Sequence, residues 1–166
     1  DTLSITQKVF ELGEVKISGK KPTEFISTVR KEKIINKNHE TIAEALAEIP
    51  GISITNIGLR NEKTVFIRGF DTRQITLLID GIPVYIPYDG NIDLGRFRSW
   101  NYEKIVVSKG FASMLYGSNS MGGAINLVTA KPGKKIEIMA TTGLSIGNKG
   151  YNGNSQNLRI GKKFGK

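Results

Sequence analysis

The 166-residue chain contains no cysteine. A disulfide framework and a thiolate metal site are both excluded, and the absence suits an exported protein as well as a cytosolic one. Histidine occurs once, as His39 beside Glu40, at a predicted helix start where a solvent-exposed ring is expected. The chain also lacks a nucleophile elbow, a metal-binding helix with paired histidines and a dinucleotide fingerprint. Scattered carboxylates alone do not make an active site, so no catalytic residue, no metal site and no cofactor is expected. No apolar run reaches the roughly 18 residues of a membrane-spanning helix, and nothing at Asp1 has the pattern of a signal peptide. Either a leader has been removed or the chain begins inside its gene.

What is present is a basic, glycine-rich chain with enough apolar residues for a core. A length of 166 residues fits about one domain, and 39% hydrophobic residues exclude a disordered tail. Lysine and arginine number 24 against 15 acidic residues, a net charge of +9. The cations are scattered, densest from Arg30 to Lys37, from Lys131 to Lys135 and in a tail from Lys162 to Lys166. No ribonucleoprotein motif, zinc finger or helix-turn-helix accompanies them, so they read as a solvated surface rather than a nucleic-acid footprint. Nineteen glycines imply turns and close backbone approaches.

Along the chain, residues 1–20 hold too few apolar side chains for a core and read as a tether. Within it, ELGEVKISG alternates at Val15 and Ile17 as a short extended segment, and Pro22 discourages regular structure beyond it. Glu32 to Ile35 suits a brief helical turn. Thr41 with Glu44 three residues later forms a capping-box signal. Ile42, Ala45, Leu46 and Ile49 then line one helical face until Pro50-Gly51. This is expected to be the longest helix in the chain. Short strands follow at Ile52 to Asn56, Thr64 to Arg68, Gln74 to Asp80, Tyr102 to Ser108 and Ala124 to Thr129. Asp80-Gly81 is hairpin-turn chemistry, a better account than a catalytic aspartate. Val84 to Gly90, with two prolines and two tyrosines, reads as an exposed loop. The glycines of YGSNSMGGAIN suit tight turns and backbone-on-backbone packing. A phosphate loop is rejected because no Gly-Lys-Ser/Thr follows.

The last section alternates in a different manner. Ile136, Ile138, Ala140, Thr142, Leu144 and Ile146 share one face, opposite Glu137, Met139, Thr141, Gly143 and Ser145. After the turn-rich GNKGYNGNSQ, Leu158, Ile160 and Phe164 face one way, opposite Asn157, Arg159 and Lys163. Two such segments of about ten residues match transmembrane barrel strands, apolar side out and polar side in. An ordinary hairpin with one buried face has the same pattern. Two strands cannot close a barrel, so the rest of one is expected outside this chain.

Three segments then follow one another in order: TIAEALAEIPGISI, TVFIRGFDTRQITLLIDGIPV and YEKIVVSKGFASMLYGSNSMGGAINLVTAKP. This series resembles the plug of TonB-dependent outer-membrane receptors over about residues 11 to 133. A single IRGF or LIDG would carry little weight; the ordered set is specific. The resemblance implies an α+β fold, a small mixed β-sheet plug with short helices, followed by the first two antiparallel strands of a transmembrane β-barrel. It divides the chain into a periplasmic tether (1–20), a plug (21–133) and the first barrel hairpin (134–166). It further implies no enzyme, a place in the lumen of an outer-membrane barrel of a Gram-negative bacterium, and energised uptake. The implied partners are the TonB C-terminal domain, the protein's own barrel, the outer membrane through that barrel and a small-molecule ligand such as a metal chelate, with no nucleic acid.

Residue by residue, the resemblance places the TonB box at Glu14, Val15, Lys16, Ile17 and Ser18. An accessible extended segment of this kind binds by adding itself to a sheet edge. DTLSITQ at the start of the chain is the runner-up. Arg68 matches the family arginine of an ionic lock between plug and barrel. The usual glutamate partner is replaced by Val106, while Glu103 matches the earlier acidic position of that strand. Cargo contact is expected from Tyr85, Tyr88 and Asp89 in the loop after LIDG. Arg60 and Arg73, in two further loops at the same end, are expected to attract an anionic chelate. The implied cargo is a ferric siderophore, with cobalamin, haem, other chelates and sugars also open. Two other classes compete: a soluble plug-like binding or signalling module, and a basic nucleic-acid-binding domain.

Overall fold

The computed structural model describes residues 25–84, 90–110, 116, 120–133, 135–148 and 150–163. The expected tether and TonB box, and Tyr85, Tyr88, Asp89 and Phe164, lie outside the described residues. The chain forms β1 (Ile26–Arg30), α1 (Lys31–Asn36), α2 (Ile42–Ala47), β2 (Ile52–Ile57), β3 (Glu62–Ile67), β4 (Ile75–Ile79) and β5 (Ile82–Val84). These are followed by β6 (Tyr102–Lys109), β7 (Gly123–Thr129), β8 (Ile136–Gly147) and β9 (Gly150–Lys162). Five strands make a mixed sheet in the order β1-β6-β7-β4-β5, in which only β4 and β7 run parallel. β2–β3 and β8–β9 are separate antiparallel hairpins. This is the mixed α+β sheet with short helices that the sequence implied.

Burial follows the side-chain alternation of the strands. On β6, Ile105 and Val107 are fully buried while Glu103 and Lys104 are exposed. They meet Ile125 and Leu127 of β7, Val65 and Ile67 of β3, and Ile42 and Leu46 of α2 in one core. Thr41 caps α2 as expected: its Oγ1 accepts the Glu44 N–H, and the Glu44 carboxylate reaches back to the cap backbone. The helix is nevertheless only six residues long, no longer than α1. Pro50-Gly51 ends the stripe so early that the helix depends on packing more than on its own hydrogen bonds. β1 was not expected from the sequence, where Pro22 suggested irregular chain; its five residues, rich in β-branched side chains, pair along their whole length with Lys104 to Ser108 of β6.

Two tight turns use left-handed backbone at both central residues, the geometry that matches strand twist. Asp80 (φ 51) and Gly81 (φ 83) join β4 to β5, as Asp-Gly chemistry foretold. Arg68 (φ 51) and Gly69 (φ 89) make the second turn, closed by paired bonds between Ile67 and Phe70. An added Cβ at Gly123 would strike the Ser108 carbonyl of β6, and one at Gly122 would strike Phe70. Backbone approach therefore explains these two glycines without a ligand.

The β8–β9 hairpin begins its second strand at Gly150, earlier than the turn-rich reading of GNKGYNGNSQ allowed. Pairing with β8 outweighs the weak strand preference of glycine and asparagine, and a bulge between Ser145 and Ile146 absorbs the mismatch. Ile138, Leu144, Ile146, Leu158 and Ile160 are each more than 65% exposed. The opposite, half-buried face meets the rest of the chain: Ser155 bonds Glu40 (3.2 Å) and Arg159 bonds the Ala130 carbonyl (2.5 Å). The hairpin thus turns its polar face toward the plug and its apolar face outward.

Candidate functional site

Arg60 and Arg73 lie on separate turns. Arg60 is exposed in the turn Gly58–Asn61 between β2 and β3, beside Leu59, whose side chain is fully exposed. Arg73 sits in a 3₁₀ turn (Thr72–Gln74) capped by Asp71, which accepts the Arg73 N–H at 3.0 Å. The Arg73 guanidinium folds back on the same carboxylate, Nη2 to Oδ2 at 2.5 Å. That bond, opposed by burial, holds the Asp71 carboxyl below the usual range. Arg73 is therefore already charge-paired, and an anion arriving there would share it with Asp71.

The chain at Gly90–Asp93 is stitched to the Arg73 turn and to β3, the strand that follows the Arg60 turn. Gly90 lies against the Arg73 side chain at φ 68, where an added Cβ would stand 3.5 Å from Arg73 Cγ. Asn91 Oδ1 accepts the Thr72 hydroxyl at 2.7 Å and the Thr64 hydroxyl at 3.4 Å. Asp93 Oδ1 accepts the backbone N–H groups of Lys63 and Gly95, both at 2.9 Å. Lys63 Nζ in turn reaches Glu44 Oε1 at 2.9 Å. Burial would raise the Glu44 pKa, but bonds from Lys63, the Glu40 N–H and Thr41 hold it at about 2. Asn91 and Asp93 were not singled out from sequence. The local signal was GNIDLG, in which Asp93 is spaced to accept the Gly95 N–H; the Asn91 partners are distant in the chain.

Arg68 and Glu103 are not brought together. The Arg68 guanidinium stands 5.5 Å from the Phe25 ring centroid and beside Gly110, just past the end of β6. Glu103 is at the opposite end of the same strand, in a cleft of about 600 Å³ lined also by Lys31, Lys104, Lys131 and Glu137. Among the described residues no carboxylate pairs with Arg68. Asp80 proves to be a structural anchor: its carboxylate accepts the Thr129 N–H (2.8 Å) and hydroxyl (2.6 Å), and the hydroxyl bond foremost holds its pKa low.

His39 corrects an expectation. Its side chain is only 17% exposed, and its Nε2 lies 2.7 Å from Glu48 Oε1, where Lys33 and Lys37 also converge. The bonds from Lys37 and then Lys33 are the main reasons that the Glu48 carboxyl is held at about 2. The ring is held by Glu48, nine residues on at the end of α2, a contact that local sequence does not show.

These elements have known counterparts. Residues 19–124 match the TonB-dependent Receptor Plug Domain family. The chain is 31% identical over 123 residues to the vitamin B12 transporter BtuB of Photobacterium profundum, a match covering 74% of this chain and 20% of that protein. It is 30% identical to the unliganded ferric citrate transporter FecA, with a TM-score of 0.59 over 70% of this chain and 19% of that one. The siderophore receptor PirA from Acinetobacter baumannii shares the fold at 22% identity, with a TM-score of 0.65 over 81% of this chain and 21% of the other. The chain thus spans about a fifth of the length of these relatives. With its mixed sheet, its IRGF and LIDG turns and its ordered match across residues 19–124, the chain belongs to the plug domains of TonB-dependent receptors.

Proposed function

We propose that this chain is the gate, and one wall of the cargo site, of an outer-membrane importer for a scarce, bulky metal chelate. The cargo class is a ferric siderophore or a cobalamin, as in the names of its relatives. The observation that carries this reading is the plug family match, joined to a following hairpin with its apolar face outward and its polar face on the plug. That orientation suits the start of a barrel wall, with lipid on one side and plug on the other. Residues 134–166 then begin the barrel, 21–133 fill it and 1–20 hang below it.

In this scheme Arg60, Arg73, Tyr85, Tyr88 and Asp89 contact the cargo. Arg68, without a carboxylate among the described residues, locks onto an acidic residue of the barrel, and Glu103 serves the lock at the other end of β6. Glu14 to Ser18 pairs with the TonB C-terminal domain as an added strand, which links the plug to the energy source.

The test uses the full-length protein, with cyanocobalamin and an iron-loaded catecholate siderophore as probes. Val15→Pro or Ile17→Pro removes a strand donor and should abolish energised uptake while cargo binding persists. Arg73→Ala combined with Tyr85→Ala and Tyr88→Ala should weaken binding without lowering the level in the membrane. Uptake unchanged by both prolines would move the box to DTLSITQ. Wild-type affinity in the triple variant would place the contacts on the barrel.

A further inference from the structure

The cluster at Asn91 buries hydroxyl groups. Thr64 and Thr72 are 3% and 6% exposed. Buried hydroxyls are costly unless bonded, so each depends on its partner, Thr72 at 2.7 Å more closely than Thr64 at 3.4 Å. That partner is a single atom, Asn91 Oδ1. Thr64 is the third residue of β3, so its position sets that of the turn Gly58–Asn61 just before the strand. Thr72 opens the turn that carries Arg73. Asn91 belongs to the returning segment Gly90–Asp93, which Asp93 secures to β3 a second time through the Lys63 N–H.

We propose that the Asn91 side-chain amide is a positioning residue, the tie that fixes the Arg60 turn, the Arg73 turn and the Gly90–Asp93 segment relative to one another. This rests on the cargo reading only for its purpose: the three tied segments carry or adjoin residues assigned there to cargo contact. Asn91 itself acts through Thr64 and Thr72. The side-chain oxygen is the acceptor for both, because both threonine hydroxyls donate.

Amide hydrogen exchange on the full-length protein tests this without knowledge of the cargo. Asn91→Ala should raise exchange about tenfold in residues 58–61, 72–74 and 90–93 together, with 102–109 and 123–129 unchanged. Asn91→Asp keeps an acceptor for both hydroxyls and should restore protection. Thr72→Val should loosen 72–74 and 90–93 but leave 58–61 protected, and it decides the matter alone if Asn91→Ala does not fold. Exchange raised only in 90–93, raised equally through the core strands, or unrescued by aspartate would overturn the proposal. Loss of cargo binding in Arg60→Ala and Arg73→Ala is a separate readout. If those variants bind normally while Asn91→Ala loosens all three segments, the contact assignment fails and the tie stands.

Discussion

The plug sheet and the β8–β9 hairpin use the same side-chain alternation for opposite ends. In β6 and β7 the apolar rows at Ile105, Val107, Ile125 and Leu127 face inward and vanish from solvent. In β8 and β9 the apolar row faces away from the chain, and the polar row of Ser155 and Arg159 makes the contact with the plug. A period of two therefore tells which residues share a face but not which face is inside. The difference lies in what stands beside each surface: α2 and β3 over the first, none of the described residues over the second.

The largest expected effect is at Gly123, where β7 and β6 touch backbone to backbone. Its φ of +127 and the Ser108 carbonyl leave no room for a methyl group, so Gly123→Ala should cost more than about 4 kcal/mol or prevent folding. Gly150→Ala in the hairpin meets open space at φ +100 and should cost only about 1–2 kcal/mol. Denaturant unfolding followed at Trp100, the sole tryptophan, measures both. Equal losses would show that close packing does not separate the two regions.

Next comes the contrast of buried and outward isoleucines. Ile105→Ala should destabilise by roughly 2–5 kcal/mol, whereas Ile138→Ala, 67% exposed, should stay within about 0.5 kcal/mol in water. In the bilayer the ranking should tighten: Ile138→Arg in the full-length protein is expected to cost up to ~2–4 kcal/mol if that face meets lipid. Folding into vesicles that ignores the arginine would remove the hairpin from the barrel wall.

The smallest effects concern acid. Glu44 and Glu48 are held at about 2 against an ordinary 4.5, so the unfolded chain binds more protons between those values. Their contribution is complete above about pH 4.5 and is lost as pH falls through about 2. Unfolding midpoints from neutral to acid pH should fall in that window, and Glu44→Gln should flatten part of the fall. Thr41→Ala, which removes the cap and one of the bonds that lower the Glu44 pKa, should cost about 1 kcal/mol and soften the pH slope less than Glu44→Gln does. A slope untouched by Glu44→Gln would assign the acid response to other carboxylates.

From residues alone came the family, strands β2, β3, β4, β6 and β7, the α2 cap and the Asp80-Gly81 turn; β5 was not foreseen, and Val84, read as loop, ends it. Each foreseen feature is written in neighbouring residues: a threonine three places before a glutamate, an Asp-Gly between β-branched runs, an ordered set of motifs. The sequence also named Arg60 and Arg73 as loop cations. Only the tertiary structure decided that Arg73 is paired with Asp71, that His39 turns inward to Glu48, that Arg68 and Glu103 sit at opposite ends of β6, and that Asn91 joins segments distant in the chain. Those facts depend on which strands lie side by side. β1 illustrates the limit: its five residues carry ordinary strand chemistry, but its partner, β6, begins more than seventy residues later. Local propensity acts through bonds a few residues long, whereas pairing and charge contacts are settled by burial of the whole core.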